Sequence, residues 1–340
     1  MSNRIAINGL GRIGRSVLRA WFERSDLAGL ELVALNELAD IQTLAHLTRY
    51  DSTHGKFAGH VAVEGNELVI NDTRLAVSNI PQLVDLPWQH HGVDLVLECT
   101  GAFSDRGNAQ IHLQRGAKRV LFSQPGAAAT DVDATIVYGV NHAVLQREHS
   151  IISAASCTTN CIVPVIHALQ QHIGIEHGVI TTIHSAMNDQ PVLDAYHHTD
   201  LRKTRSAMHS IIPVETGLAR GIDRLLPELA GRFQAQAMRV PTMNVSAIDL
   251  SVVVKRAVDR TAINAILQQA SAAYPRNVLG CTDEPLASCD FNHDARSGIV
   301  DLSQTRVSGN HLVKVLVWFD NEWAFANRML DIARLIGSMD

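Results

Sequence analysis

No apolar run in this 340-residue chain reaches ~18 residues, the rough minimum for a membrane-spanning helix. The opening MSNRIAINGLG lacks the charged start and long apolar stretch of a secretory leader. Basic blocks are missing too: 29 Lys and Arg are scattered among 34 Asp and Glu, for a net charge of −5. That balance argues against a nucleic-acid or membrane partner. Cysteine is sparse, with five residues at irregular spacing. Cys99, Cys281 and Cys289 have no CxxC partner, so neither a metal site nor a disulfide framework is expected. The expected setting is soluble, reducing and cytoplasmic. Internal repeats, low-complexity segments and long linkers are also absent.

What is present is 46% hydrophobic residues, enough for a large core and more than one domain. The 17 histidines are numerous, and His90, His91, His197 and His198 are read as exposed surface. The first half alternates short apolar strands with amphipathic helices. RIAIN (4–8), ELVAL (31–35), DLVLECTG (94–101), RVLFS (119–123) and TIVYGVN (135–141) are predicted strands, and residues 13–24 a helix. That alternation implies a mostly parallel sheet with helices on both faces. After about residue 155 the predicted strands are longer and alternate in polarity: 178–185, 233–241, 245–256 and 311–320. They suit a largely antiparallel sheet in a second, α+β unit. Residues 322–336 have helical spacing through Phe325, Met329, Ile332 and Ile336. The expected organisation is a nucleotide-type domain over 1–155, joined by the helix at about 322–340, and a substrate domain over 156–321.

NGLGRIG holds G-x-G-x-x-G at Gly9, Gly11 and Gly14, after a strand and opening a helix. In that context the spacing predicts a dinucleotide site, with the pyrophosphate on the helix N-terminus. Glu37 ends the next strand, where a carboxylate bonds ribose hydroxyls and repels a 2′-phosphate, which favours NAD over NADP.

SAASCTTNC places Cys157 at a strand-to-helix junction, with Ser156 or Thr158 as a candidate cap. There the helix dipole and its N–H groups are expected to lower the thiol pKa and to hold an oxyanion built on the sulfur. Cys161, one turn on, reads as a small core residue. Pro164 conflicts with a continuous helix and marks a kink or a late start. His184, closing the apolar strand of TTIHSAMNDQ, is the candidate base for Cys157.

NGLGRIGR, SAASCTTNC, TTIHSAMNDQ, SIIPVETG, MRVPTMNVS and VWFDNEW occur in this order. Together they resemble the glyceraldehyde-3-phosphate dehydrogenase superfamily across essentially the whole chain. The resemblance implies a Rossmann-type NAD domain, a catalytic domain, a C-terminal helix packed on the first domain, and a homotetramer. It also implies Cys157 as nucleophile and His184 as base. NAD is expected among Asn8, Gly9, Gly11, Arg12, Ile13, Gly14, Glu37, Ser123 and Asn321. The sugar-phosphate substrate is expected among Ser156, Thr158, Thr159, Lys203, Thr216, Gly217 and Arg239.

The chain departs from the glycolytic members at Met187, Lys203 and Phe325, where they usually carry Thr, Arg and Tyr. A thioether cannot donate to a phosphate oxygen, and Lys lacks the bidentate fork of Arg. With INELAD-like, HSAM-x-DQ and DFNHD patterns, the chain is similar to the branch that oxidises D-erythrose 4-phosphate for pyridoxal phosphate synthesis. There water, rather than phosphate, takes most of the acyl group. Glycolytic phosphorylating chemistry is the alternative. The cysteine and histidine argue against a purely NAD-sensing or RNA-binding protein, and the glycine loop against a cofactor-free cysteine hydrolase.

Overall fold

The computed structural model describes residues 2–197 and 199–339, so the surface reading of His198 lies outside the described residues. The chain forms two compact units: residues 1–156 with 325–340, and residues 157–324.

The first unit runs β1 (Asn3–Asn8), α1 (Arg12–Glu23), β2 (Leu30–Asn36), α2 (Ile41–Arg49), β3 (Tyr50–Asp51), β4 (Gly55–Lys56), β5 (Val61–Glu64), β6 (Glu67–Ile70), β7 (Thr73–Ser78), β8 (Leu95–Glu98), α3 (Arg106–Gln114), β9 (Arg119–Phe122), β10 (Ala134–Thr135) and β11 (Ile151–Ser153). Nine of these strands form one sheet in the order β10-β11-β9-β8-β1-β2-β7-β6-β5. Pairing from β10 to β7 is parallel throughout. The central strands are short and apolar, and all four residues of β8 are buried, as a sheet covered on both faces requires. β5, β6 and β7 add an antiparallel meander. The predicted strand over 135–141 ends at Thr135. Asn141 folds back, accepting from the Val137 N–H at 2.7 Å and donating to the Thr135 carbonyl at 2.8 Å. That side-chain turn displaces ladder pairing.

The second unit contains α4 (Cys157–Ile173), β12 (Ile175–His184), β13 (Ile212–Val214), α5 (Leu218–Leu225), β14 (Phe233–Arg239), β15 (Ser246–Val254), α6 (Arg260–Ala273), β16 (Leu279–Thr282), β17 (Gly298–Ser308) and β18 (Leu312–Phe319). Its seven-stranded sheet has the order β13-β14-β12-β15-β18-β17-β16. Pairing is antiparallel except for β12 with β14 and β16 with β17. β17 is buried along its first five residues instead of alternating, and its sequence did not announce a strand. α4 runs through Pro164 without ending. Most of this helix is buried, and tertiary packing offsets the backbone bond that proline removes. Gly298 lets α4 lie close on the sheet, because a Cβ there would sit 2.9 Å from the Cys161 carbonyl.

The last helix, α7 (Trp323–Gly337), returns to the first unit from Phe325 onward. Arg24 bonds the Asp331 carboxylate at 2.7 Å and the Asn327 carbonyl at 3.0 Å, and Phe325 is buried.

Candidate active site and dinucleotide pocket

In the first unit, β1 delivers Gly9 in the left-handed conformation (φ +85°), with its Cβ position only 2.7 Å from Thr100 backbone. Gly14 packs closer still: a Cβ would meet the Gly9 carbonyl at 2.0 Å. Gly11 faces open space and caps α1 without a side-chain bond. The loop therefore presents helix N–H groups where an anion can approach. Beside it lies a cavity of about 370 Å³ lined by Asn8, Gly9, Gly11, Asn36, Glu37 and Thr100, with Ile80, Pro81, Leu83 and Phe103 among its apolar walls. The donor set, the open glycine and the apolar slot fit an adenine dinucleotide.

The Glu37 carboxylate does more than face this cavity. It accepts from the N–H groups of Leu10 at 2.6 Å, Leu38 at 2.7 Å and Ala39 at 3.3 Å, which ties the glycine loop to the end of β2. Arg12, Ile13, Gly14 and Ser123 do not line the cavity. Arg12 is engaged by Asp51 at 2.5 Å. Asn321 belongs to the second unit, where its Oδ1 accepts from the hydroxyls of Ser185 at 3.0 Å and Ser246 at 2.9 Å.

In the second unit, Cys157 is the first residue of α4 and His184 the last of β12, an inner strand. Cys157 Sγ lies 3.9 Å from His184 Nε2. His184 Nδ1 is 2.8 Å from the Ser185 carbonyl. A carbonyl only accepts, so Nδ1 carries the proton and Nε2 of the neutral ring turns its lone pair to the sulfur. The Phe319 ring closes the other side of the imidazole, edge-on at 6.3 Å.

The expected lowering of the Cys157 pKa does not hold. Burial pushes the thiol up to about 11, against the pull of the Thr158 and Cys157 N–H groups, with Asp320 and Glu322 adding to the rise. Burial likewise lowers His184, opposed by the Ser185 carbonyl, while Arg239 adds to the lowering. Both shifts favour a neutral thiol–imidazole pair, so the helix terminus loses to desolvation here. Cys161 is fully buried, and its thiol lies well above the ordinary range for the same reason. Two non-glycine residues near these elements adopt the left-handed conformation, Ala155 (φ +60°) and Val245 (φ +62°). For a β-branched residue this is real strain, of the kind that gathers at functional sites.

β12 and β14 pair in parallel with His184 opposite Arg239, which brings the arginine alongside the imidazole. Arg239 pairs with Asp189, and Lys203 reaches the other oxygen of the same carboxylate at 2.9 Å. Asp189 was not singled out in the sequence, although it lies within the quoted HSAMNDQ. Its spacing gave no sign that it would gather two cations. Thr216 accepts from the Leu218 N–H at 3.3 Å and precedes Gly217, the cap of α5. Thr159 is buried against Gly221 of α5, its Oγ1 3.3 Å from the Cβ position there. Thr158 is the second residue of α4, and Ser156 falls to the first unit by one residue. Met187 is exposed, its N–H donating to Gln190 at 3.2 Å.

Among the described residues no cluster of His, Cys, Asp and Glu is arranged to hold a metal ion. None of the described helices is long and apolar enough to cross a membrane. Residues 3–106 match the family model for the glyceraldehyde 3-phosphate dehydrogenase NAD binding domain, and residues 156–321 that for the glyceraldehyde 3-phosphate dehydrogenase C-terminal domain. With a Rossmann-type first domain, a largely antiparallel second domain and NAD as cofactor, this chain belongs to the glyceraldehyde-3-phosphate dehydrogenase superfamily of NAD-dependent oxidoreductases.

Proposed function

We propose that the chain is a D-erythrose-4-phosphate dehydrogenase, oxidising its substrate to 4-phosphoerythronate on the way to pyridoxal 5′-phosphate. The observation that carries this reading is the altered anion site. Met187 offers no hydroxyl, and Asp189 engages both Arg239 and Lys203. A site rebuilt in this way suits a phosphate displaced by one carbon and weakens the competing site for inorganic phosphate.

In this reading Nε2 of His184 takes the thiol proton as Cys157 attacks the aldehyde carbon, then passes it to the carbonyl oxygen. The thiohemiacetal oxygen is held by His184 and by the N–H of Cys157. NAD supplies the hydride acceptor. His184 withdraws the hydroxyl proton as C1 loses hydride and becomes a thioester, releases that proton to solvent, then takes one from the attacking water and returns it to the departing Cys157 sulfur. Arg239, Thr216 and Lys203 anchor the substrate phosphate, with Gly217, Thr159, Thr158 and Ser156 around it. Asn8, Gly9, Gly11 and Glu37, which line the dinucleotide cavity, would hold NAD.

The same reading includes a cytoplasmic homotetramer. Val192, Leu193, Tyr196 and Leu201 leave large apolar side chains in solvent on one segment, as a subunit contact would use them. The test of substrate is kcat/KM, followed as NADH absorbance. D-Erythrose 4-phosphate is expected to exceed glyceraldehyde 3-phosphate by about tenfold or more, a difference of ~1.4 kcal/mol. The reverse order would assign the chain to the glycolytic, phosphorylating reaction.

A further inference from the structure

Beneath the dinucleotide cavity lies a polar chain whose inner members, Glu98, His112 and Trp88, the chemistry above does not use. Glu98, at the end of β8, is 1% exposed, and His112 of α3 is fully buried. The Trp88 indole N–H lies 2.9 Å from His112 Nδ1. An indole only donates, so Nδ1 accepts and the ring proton sits on Nε2, which faces Glu98 Oε2 at 3.1 Å. The contact is a neutral donor on a carboxylate.

Asn8 Nδ2 donates to the same oxygen at 2.6 Å. The other oxygen takes the Thr100 N–H at 2.9 Å and the Thr100 hydroxyl. Every one of these groups donates, so only an ionised carboxylate satisfies them all.

Asn8 is held from both sides: Glu98 takes its Nδ2, and its Oδ1 accepts from Asn36 Nδ2 at 2.8 Å. Asn36 is itself fixed by the Ile80 backbone, whose N–H donates to its Oδ1 at 3.0 Å and whose carbonyl accepts from its Nδ2 at 3.0 Å, and the Ser78 hydroxyl adds a bond to Oδ1 at 2.9 Å. Asn8, Asn36 and Thr100 all line the cavity.

We propose that Glu98, oriented by His112 and Trp88, is a positioning residue for NAD. Its carboxylate is the sink of the network and fixes where Asn8 is held and which side of the Thr100 hydroxyl the cofactor meets. Without it Asn8 Nδ2 and the Thr100 N–H and hydroxyl lose their common acceptor, and part of the population shows NAD a displaced Asn8 and a reoriented Thr100 hydroxyl.

The test is NAD affinity by calorimetry on the full-length protein, which needs no aldehyde and so stands or falls apart from the substrate assignment. Glu98→Gln keeps the shape but sets an amide NH2 against donors. It is expected to raise the NAD Kd about tenfold or more, with KM for NAD rising more than kcat falls. The alkylation rate of Cys157, in the other unit, stays as in the parent protein. His112→Gln retains an acceptor for Trp88 and a donor for Glu98, whereas His112→Leu retains neither. Near-parental NAD affinity in His112→Gln with weakened affinity in His112→Leu supports the proposal, and this pair decides the matter if Glu98→Gln does not fold. A Glu98→Gln Kd within about twofold of the parent overturns it. Equal losses of affinity in both His112 variants, tracking their melting temperatures, overturn it as well.

Discussion

At the scale of single residues, burial sets the chemistry of Cys157 and His184. A thiol pushed up to about 11 is almost wholly protonated near neutral pH, so its thiolate fraction grows about tenfold per pH unit below that value. Alkylation of Cys157 by iodoacetamide is therefore expected to accelerate as pH rises from 7 to 9. His184→Asn removes the proton acceptor 3.9 Å away and slows alkylation near pH 7. Unchanged kinetics in that variant would break the pairing. Cys157→Ala is expected to abolish aldehyde oxidation, by a factor of about 10⁴ or more, while NAD still binds. The juxtaposition of Cys157 and His184 was legible because each sits at the end of a strongly patterned element. The direction of the thiol shift was not legible, because sequence shows the helix terminus but not the depth of burial. Asp189 was hidden for a similar reason: only the register of β12 against β14 brings Arg239 next to His184, where the carboxylate collects it.

Secondary-structure elements show where local rules decide and where they yield. The glycine loop was readable because its geometry is local. Gly14→Ala would drive a methyl into the Gly9 carbonyl, so about 1–3 kcal/mol of stability and much of the NAD affinity should be lost, by denaturant titration and calorimetry. A second prediction concerns the pair between α1 and β3. Burial raises the Asp51 carboxyl, but the Arg12 guanidinium and the N–H groups of His54 and Thr53 overcome it and hold the group well below the usual carboxylate range. A depressed folded pKa stabilises the fold above the unfolded value near 4 and loses that contribution as pH falls through the folded one. Asp51→Asn should therefore cost stability at pH 7, and the gap to the parent should narrow in strong acid. A gap that widens on acidification would contradict the assignment. The strand expected over 135–141 failed as a local reading, and so did a late helix start at Pro164, since α4 begins at Cys157 and runs through it. An asparagine side chain captured the first backbone, and tertiary burial held the second together. Most of the histidines gave no pattern either. His112 had none of the marks of a core residue, yet it is buried because Trp88 and Glu98 supply both of its ring partners.

For the whole molecule, the two fold classes were legible from the change in strand character near residue 155, since parallel, doubly covered strands and half-exposed antiparallel ones differ in composition. Long-range pairing was not, and so β17 and the meander of β5 to β7 went unseen. The exposed apolar side chains at 192–201 lead to a solution prediction: sedimentation equilibrium should give four copies, and Leu193→Asp with Leu201→Asp should shift the mass towards dimer or monomer. A parental mass in the double variant would place the subunit contact elsewhere. The account as a whole rests on a thioester at Cys157 that water resolves. Its most direct test is NADH formation from D-erythrose 4-phosphate by purified protein in buffer free of inorganic phosphate, repeated with phosphate added. Sustained turnover without phosphate, little changed on addition, is the predicted result. Turnover that stops after one equivalent of NADH and resumes with phosphate would contradict it.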